Sequence, residues 1–354
     1  MSRYLNDKYM GLEEYVPGEQ PKDMKYVKLN TNESPFPPSE GVVEAINADN
    51  AMLLKLYPDP DCAELREKIA NLFGYKKENV FVSNGSDDIL NFSFMAFCSE
   101  GSHAVVFPDI SYGFYKVYAE LYGVDYTQIP LKEDFSIDPE DYIGIGKNIV
   151  IANPNAPTGL ALSRDTVERI VNSNPDNVVV IDEAYVDFGA ESCVGLVNKY
   201  DNLLVVRTFS KSYSLAGARL GFAIGSAGLI ADLNKIKYST NPYNINRLSM
   251  IAGCRAIDEN RYYMNNCKLI ARTRARVTEE LREMGFEVLD SCSNFIFARS
   301  PEISGEELYL ELKSRGVLVR HFGAERIKEF NRITIGTDDE MNVFLRTTRD
   351  ILGK

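Results

Sequence analysis

The sequence predicts an α/β protein: a large unit over residues 41–245 on a mostly parallel central sheet flanked by helices, a smaller α/β unit over 246–354, and an N-terminal arm over 1–40. Three observations carry this. Fully apolar, branched runs such as Val178-Val179-Val180-Ile181 and the stretch 202–206 read as strands buried on both faces, the habit of parallel sheets. Val80-Phe81-Val82-Ser83 passes through Asn84-Gly85-Ser86-Asp87-Asp88 into a helical pattern over 89–97, a strand, glycine turn and helix in succession. From residue 287 onward short strands (295–297, 317–319, 333–335) alternate with helical patterns (305–314, 338–351) as a separate layer. A chain of 354 residues also exceeds one typical core, which favours two units.

The elements follow in order. Val16-Pro17-Gly18-Glu19-Gln20-Pro21 and Ser34-Pro35-Phe36-Pro37-Pro38 are too rich in proline for a ladder, so the first 40 residues read as an extended arm lying over other structure, outside the core. Leu65, Ile69, Leu72 and Phe73 recur at helical spacing over 63–73; Asp61 with Glu64 three residues on reads as a capping box, and Gly74 as the stop. Ala104-Val105-Val106-Phe107 is a strand, after which Pro108-Asp109-Ile110-Ser111-Tyr112-Gly113 opens a helix; Asn148-Ile149-Val150-Ile151-Ala152 is another strand. Leu220-Gly221-Phe222-Ala223-Ile224-Gly225 reads as a returning strand, and 244–285 as mostly helical with Gly285 as its stop.

Composition bounds the function. The chain is 45% hydrophobic and 25% charged, ordinary for a globular protein, and its net charge of −12 argues against a nucleic-acid partner. The six cysteines (Cys62, Cys98, Cys193, Cys254, Cys267, Cys292) form no C-x-x-C pair, so neither a metal site nor a disulfide framework is expected. The first residues lack the apolar core of a signal peptide and no run reaches the ~18 residues of a membrane span. A cytoplasmic location with no membrane partner is the expectation.

Two stretches carry chemistry. Thr208-Phe209-Ser210-Lys211-Ser212-Tyr213-Ser214-Leu215-Ala216-Gly217-Ala218-Arg219-Leu220-Gly221 places a lysine between hydroxyls just after a buried strand. Such a lysine, partly desolvated or set beside positive charge, is a nucleophile able to hold a carbonyl cofactor as a Schiff base. Ser210 and Arg219 are suited to an anion such as a phosphate. The second stretch, Val178-Val179-Val180-Ile181-Asp182-Glu183-Ala184-Tyr185, ends a buried strand in a carboxylate, where a ligand of a parallel sheet sits. A carboxylate there can keep a pyridine nitrogen protonated, or could belong to a nucleotide hydrolase; no G-x-x-x-x-G-K-[ST] loop accompanies it. The turn at Gly85, Ser86 and Asp87 is an anion cradle of the kind helix N-termini provide.

The lysine stretch, together with Asp182-Glu183-Ala184-Tyr185, resembles the signature of fold-type I pyridoxal-phosphate aminotransferases, most closely the histidinol-phosphate aminotransferase branch. The resemblance spans nearly the whole chain. It implies pyridoxal 5′-phosphate as cofactor and Lys211 as the catalytic residue, with Asp182 on the pyridine nitrogen and Tyr185 on the 3′-oxygen. Gly85, Ser86, Asp87, Ser210 and Arg219 would hold the phosphate, and Tyr112, on its own as easily a core tyrosine, would stack on the ring. Asn153-Pro154-Asn155-Ala156-Pro157-Thr158-Gly159 resembles the family's Asn-Pro-Thr-Gly loop with a departure: Ala156 stands where many relatives have the asparagine that meets the 3′-oxygen, so either Asn155 substitutes or Tyr185 acts alone. Tyr57, otherwise a packing tyrosine, would reach a dimer partner's cofactor phosphate. Tyr15, Asn32, Arg320 and Arg332 would bind substrate, although arginines beside strands are ordinarily solvated.

The activity implied is transamination between histidinol phosphate and 2-oxoglutarate, giving imidazole acetol phosphate and glutamate in histidine biosynthesis, by a homodimer whose small-molecule partners are an amino donor and a 2-oxo acid. An aromatic aminotransferase or a threonine-phosphate decarboxylase of the same branch are the alternatives, and a nucleotide-binding switch protein is a remote third.

Overall fold

The computed structural model describes residues 3–13 and 15–354, so residues 1, 2 and 14 of the expected arm lie outside the described residues. Thirteen strands are present among the described residues: β1 (Val27–Lys28), β2 (Val80–Ser83), β3 (Val105–Pro108), β4 (Tyr126–Ile129), β5 (Asn148–Ala152), β6 (Val179–Asp182), β7 (Leu203–Thr208), β8 (Gly221–Gly225), β9 (Glu287–Val288), β10 (Phe295–Arg299), β11 (Val317–Leu318), β12 (Arg320–His321) and β13 (Asn331–Thr334). The helices are α1 (Glu40–Ala45), α2 (Ala48–Met52), α3 (Ala63–Phe73), α4 (Ser86–Phe97), α5 (Phe114–Tyr122), α6 (Arg164–Ser173), α7 (Ala227–Thr240), α8 (Arg247–Asp258), α9 (Asn260–Glu283), α10 (Gly305–Ser314) and α11 (Asp338–Leu352). Among the described residues, no helix is long and apolar enough to cross a membrane.

A seven-stranded sheet in the order β2-β8-β7-β6-β5-β3-β4 forms the centre. All neighbours are parallel except β8, which runs antiparallel to both β2 and β7. The period of two in a strand sorts its side chains onto two faces. Ile149, Ile151, Val179, Ile181, Leu203 and Val205 enter one core with α3, α6 and α8. The intervening Val150, Val180, Leu204 and Val206 enter another with α4, α5 and α7. Burial on both faces is why these runs show no polar alternation. A second, antiparallel sheet in the order β12-β13-β10-β9 is backed by α9, α10 and α11. A capping box, Thr337 with Glu340, starts α11.

Three sequence expectations change in detail. Asp61 does not cap α3: the N-cap is Cys62, left-handed at φ 49°, and Asp59 does the work, its carboxylate accepting from Asp61 N (2.9 Å) and Ala63 N (2.8 Å). Gly74 does end the helix in the left-handed region. The segment opened by Pro108 turns helical only at Phe114, with Gly113 as the cap. Finally, the arm is not wholly outside the core. β1 pairs in parallel with β11, Leu29 N donates to Leu318 O (2.8 Å), Thr334 N donates to Leu29 O (2.9 Å), and Leu29, Asn30 and Asn32 are buried. The prolines stop short of this stretch: residues 22–34 contain none, so their amides remain free to pair.

Helix α8 buries Ala252, Cys254, Ala256 and Ile257 in a core of the large sheet. Helix α9 crosses between cores, placing Tyr263 in that one and Ile270, Val277 and Leu281 under the small sheet.

Candidate active site

A cavity of about 510 Å³ opens at the C-terminal ends of β5, β6 and β7, with Ala152, Asp182 and Thr208 on its floor, and the arm and the small sheet closing it. Lys211 projects into it from the turn after β7. Its Nζ donates to Thr31 O (3.0 Å) and lies 5.8 Å from the centre of the Tyr185 ring. Burial, and secondarily the positive charge of Arg332, brings its pKa down to about 8. A lysine so placed holds a usable fraction of neutral amine at physiological pH.

Asp182 ends β6 almost fully buried. Tyr115 Oη donates to its Oδ2 (3.0 Å) and Ala184 N to its Oδ1 (3.2 Å). Burial raises the carboxyl to about 7; the Tyr115 hydrogen bond opposes this, while the nearby charge of Asp87 adds to it. Tyr185 accepts a hydrogen bond from Asn32 Nδ2 (3.0 Å), and burial holds its phenol above the ordinary value. Asn32 is fixed in turn by Thr334, whose hydroxyl donates to its Oδ1 (3.0 Å).

One corner of the cavity is built for an anion. Ser86 and Asp87 begin α4, whose first amides have no intrahelical partner. Ser210 Oγ lies 3.5 Å from Arg219 Nη1, and Arg219 Nη2 pairs with Asp87 Oδ2 (2.8 Å). Gly85, at φ 88°, lets the turn come within reach: a Cβ there would stand 2.8 Å from Arg219 Nη2. Gly221 is more constrained still, since its Cβ would lie 2.5 Å from Ser86 N and 2.6 Å from Gly85 C. Tyr112 Oη donates to Asp87 Oδ1 (2.6 Å), placing its ring along the cavity wall.

A second anion corner belongs to the small sheet. Arg320 and Arg332 are directly opposed across β12 and β13. The Arg332 guanidinium lies between Phe295 (5.4 Å) and Phe322 (5.6 Å), and Nη2 donates to Asn30 O (3.1 Å). Its Nε is buried without a hydrogen-bond partner, an orphaned cationic donor of the kind a ligand anion satisfies. Arg320 donates to Pro17 O (3.2 Å) and Val16 O (3.1 Å), and its guanidinium also lies 5.6 Å from the centre of the Phe322 ring. Tyr15 stacks on Phe114 at 4.3 Å and meets Tyr112 edge-on at 6.1 Å.

The cavity thus collects Tyr15, Asn32, Ser86, Asp87, Tyr112, Asp182, Tyr185, Ser210, Lys211, Arg219, Arg320 and Arg332 from across the chain. Gly85 sits behind Arg219, outside the wall. Asn155 is also kept out: its amide donates to Ile110 O (2.9 Å) and Thr158 Oγ1 (3.1 Å) and its oxygen accepts from Ser111 (2.8 Å), which leaves Ala156 facing the cavity beside Tyr185. Tyr57 is exposed and stacks on Tyr243 at 4.6 Å, away from this chain's own cavity. Sequence reasoning missed Tyr115, Phe322 and the backbone of Asn30 and Thr31. It also missed a buried ion cluster behind Asp182, in which Arg207 pairs with Asp187 and lies 3.6 Å from Glu183. A signal for that cluster existed, because Arg207 interrupts the apolar run of β7 and a charge there needs a buried partner.

Residues 24–347 match the aminotransferase class I and II family. The chain is 52% identical over 353 residues to a histidinol-phosphate aminotransferase of Brachyspira hyodysenteriae, covering 99% of both sequences. Among solved structures it superposes on the histidinol-phosphate aminotransferase of Clostridium acetobutylicum with a TM-score of 0.84, at 26% identity over 92% of this chain and 99% of that one. The Sinorhizobium meliloti histidinol-phosphate aminotransferase, solved in complex with pyridoxal-5′-phosphate, shares the fold at a TM-score of 0.83 and 24% identity, covering 92% of each. With the family match over most of its length and a full-length relative at this identity, the chain belongs to the class I and II aminotransferases.

Proposed function

We propose that this enzyme transfers the amino group of histidinol phosphate to 2-oxoglutarate, with pyridoxal 5′-phosphate as cofactor, in histidine biosynthesis. The observation that carries the reading is the presence of two separate anion corners in one cavity, with Lys211 between the reach of both. The residues suit the cofactor: an amine of lowered pKa, a buried carboxylate and a helix N-terminus with Ser210 and Arg219 match an aldehyde, a ring nitrogen and a phosphate. When bound, pyridoxal phosphate supplies a carbonyl carbon that condenses with amines and a ring that delocalises the electrons left by a broken C–H bond.

The chain's own groups then divide the work. Ser210, Arg219 and the first amides of α4 would hold the phosphate, while Tyr112 would support the ring face. Asp182, with a cation facing it, would be ionised and would hold a proton on the ring nitrogen. Tyr185 would donate to the 3′-oxygen, and the engagement of Asn155 with Ile110 O supports Tyr185 over Asn155 in that role. Lys211 would anchor the cofactor through its amine of lowered pKa and, once free of it, would serve as the general base that takes the proton from the donor's α-carbon and the general acid that gives it back. Arg332 and Arg320, with Tyr15 and Asn32, bind the anionic end of the substrate; their planar forks accept both a phosphate and a carboxylate, as two successive half-reactions require.

The working organisation is an arm over 1–40, a large unit over 41–245 and a smaller unit over 246–354 whose first helix, α8, packs on the core of the large sheet, assembled as a cytoplasmic homodimer. An exposed apolar face supports the dimer: Met52, Leu54, Leu56 and Tyr57 are all more than half exposed. A fully active monomer in sedimentation would refute it. The substrate is tested with a panel of amino donors on purified enzyme. Histidinol phosphate should far exceed histidinol, phenylalanine and tyrosine; carbon dioxide release from threonine phosphate would make the enzyme a decarboxylase, and preference for an aromatic amino acid would overturn the named donor.

A further inference from the structure

Three tyrosines at a spacing of three, Tyr112, Tyr115 and Tyr118, run from the turn before α5 into its second turn. Two of the three hydroxyls reach carboxylates of the site and the third a main-chain oxygen beside them. Tyr112 donates to Asp87 Oδ1 (2.6 Å), Tyr118 to the backbone oxygen of Asp87 (3.0 Å), and Tyr115 to Asp182 Oδ2 (3.0 Å). Tyr115 is the one with no solvent exposure, its ring set edge-on to Phe107 (5.8 Å) and Tyr112 (5.7 Å). Burial of that kind fixes the ring and leaves the hydroxyl no water to turn to. A buried hydroxyl without a partner costs free energy, so the pairing with Asp182 is enforced from both sides.

We propose that Tyr115 is a positioning residue of the reaction, holding Asp182 ionised and oriented so that its free edge faces the ring nitrogen of the cofactor. The inference rests on the reading of Asp182 given above. Tyr115 does not touch substrate or cofactor; it acts through the carboxylate. Asp182 needs such help because its surroundings disfavour its charge: burial, Asp87 from α4 and Glu183 beside it on the chain all raise its pKa, while the Tyr115 hydroxyl and, less strongly, the Ala184 amide lower it. The phenol keeps its proton to give, since burial and the same carboxylate raise its own pKa. Tyr185, which also feels the Asp182 charge, likewise stays neutral because burial raises it.

The test is Tyr115→Phe, which keeps the packed ring, with equilibrium binding to the cofactor-free protein as the readout. Loss of a hydrogen bond to a charged group should weaken pyridoxal phosphate by roughly 10- to 100-fold. Binding of an analogue with carbon in place of the ring nitrogen should be nearly unchanged, because the carboxylate then has no cation to meet. The pH at which cofactor binding is half lost on acidification should rise in Tyr115→Phe. It should fall when 3,5-difluorotyrosine, a stronger donor of nearly the same shape, is placed at 115. The fluorinated protein keeps the test decisive even where phenylalanine impairs folding. Equal penalties for cofactor and analogue, or an unmoved pH midpoint in both variants, would overturn the role of Tyr115. A wild type that binds the analogue as tightly as the cofactor would overturn the assignment of Asp182 as well.

Discussion

Arg332→Ala and Arg320→Ala, each measured with two amino donors, give the sharpest separation of roles in the substrate corner. In the ligand-free protein Arg332 gives one hydrogen bond to Asn30 O, and its buried Nε has no partner. An anion taking Nε and one terminal nitrogen would gain two charge-assisted hydrogen bonds of about 1.5–3 kcal/mol each and displace one neutral carbonyl worth about 1 kcal/mol. The net is about 2–5 kcal/mol, at about 1.4 kcal/mol per decade roughly 30-fold to several-thousand-fold in kcat/KM. Arg320 must release two arm carbonyls, Val16 O and Pro17 O, before it can serve a ligand, so by the same accounting its net contribution is smaller, about 1–4 kcal/mol or roughly 5-fold to several-hundred-fold. Single-turnover half-reactions with histidinol phosphate and with glutamate should show Arg332→Ala impairing both donors and Arg320→Ala impairing mainly the phosphorylated one. Because the two guanidiniums share the Phe322 ring, the double variant should depart from additivity. Equal losses on both donors for Arg320→Ala, or a donor untouched by Arg332→Ala, would refute the assignment.

Three further outcomes are expected. Borohydride treatment of the holoenzyme should fix the cofactor on Lys211 and on no other lysine, and Lys211→Ala should lose turnover by several orders of magnitude; peptide mapping that finds the label elsewhere sinks the assignment. Asp182 is raised from 3.8 to about 7 in the folded protein, so between those values the folded, cofactor-free chain holds a proton the unfolded chain has released, and this group's stabilising contribution falls as pH rises through the window. Asp182→Asn, neutral throughout, should therefore gain on the wild type in urea unfolding between pH 4 and pH 7, and a difference independent of pH would contradict the argument. Gly221→Ala drives a methyl into the backbone of Gly85 and Ser86 and should cost about 1–3 kcal/mol of stability with a matching loss of phosphate-dependent cofactor binding; a variant with native cofactor affinity would show that the contact between β8 and the turn opening α4 does not shape the cradle.

The sheet and the residues along its floor were legible because burial on both faces writes itself into composition: β6 and the first four residues of β7 could be read as apolar runs, with Asp182 at the end of one and Lys211 just after the other. Edge strand β4 was not, since Tyr126-Thr127-Gln128-Ile129 is half solvated and mixes polar with apolar residues as a loop does. The cap of α3 was misplaced by two residues because Asp59 and Asp61 offer the same carboxylate, and only the left-handed turn at Cys62 decides which one reaches the amides. Helix α8 was grouped with the C-terminal unit by its helical pattern alone. Which core receives Ala252 and Ile257 is a tertiary fact with no local signature. Tyr115 had a signal, its spacing from Tyr112, but two tyrosines three apart on an amphipathic helix read equally well as core packing.

The arm shows a deeper reason for illegibility. Lys211, Arg332 and Arg320, three of the four cations lining the cavity, donate to the main-chain oxygens of Thr31, Asn30, and Val16 with Pro17. A carbonyl is the same on every residue, so no side chain in the arm announces these contacts, and proline-rich sequence suggests only an extended path. What makes the contacts possible is instead the pairing of β1 with β11 and the anchoring of Asn32 to Thr334, which thread 30–32 between the two sheets. Cations buried without partners would be costly. The arm's carbonyls offset that cost with neutral dipoles, weaker partners than a phosphate or carboxylate, so an incoming anion can replace them with a net gain. The site is thereby kept charged and ordered while remaining open to exchange, a condition that a side-chain carboxylate in the same place would not meet, since it would hold the arginines too tightly for a substrate to displace.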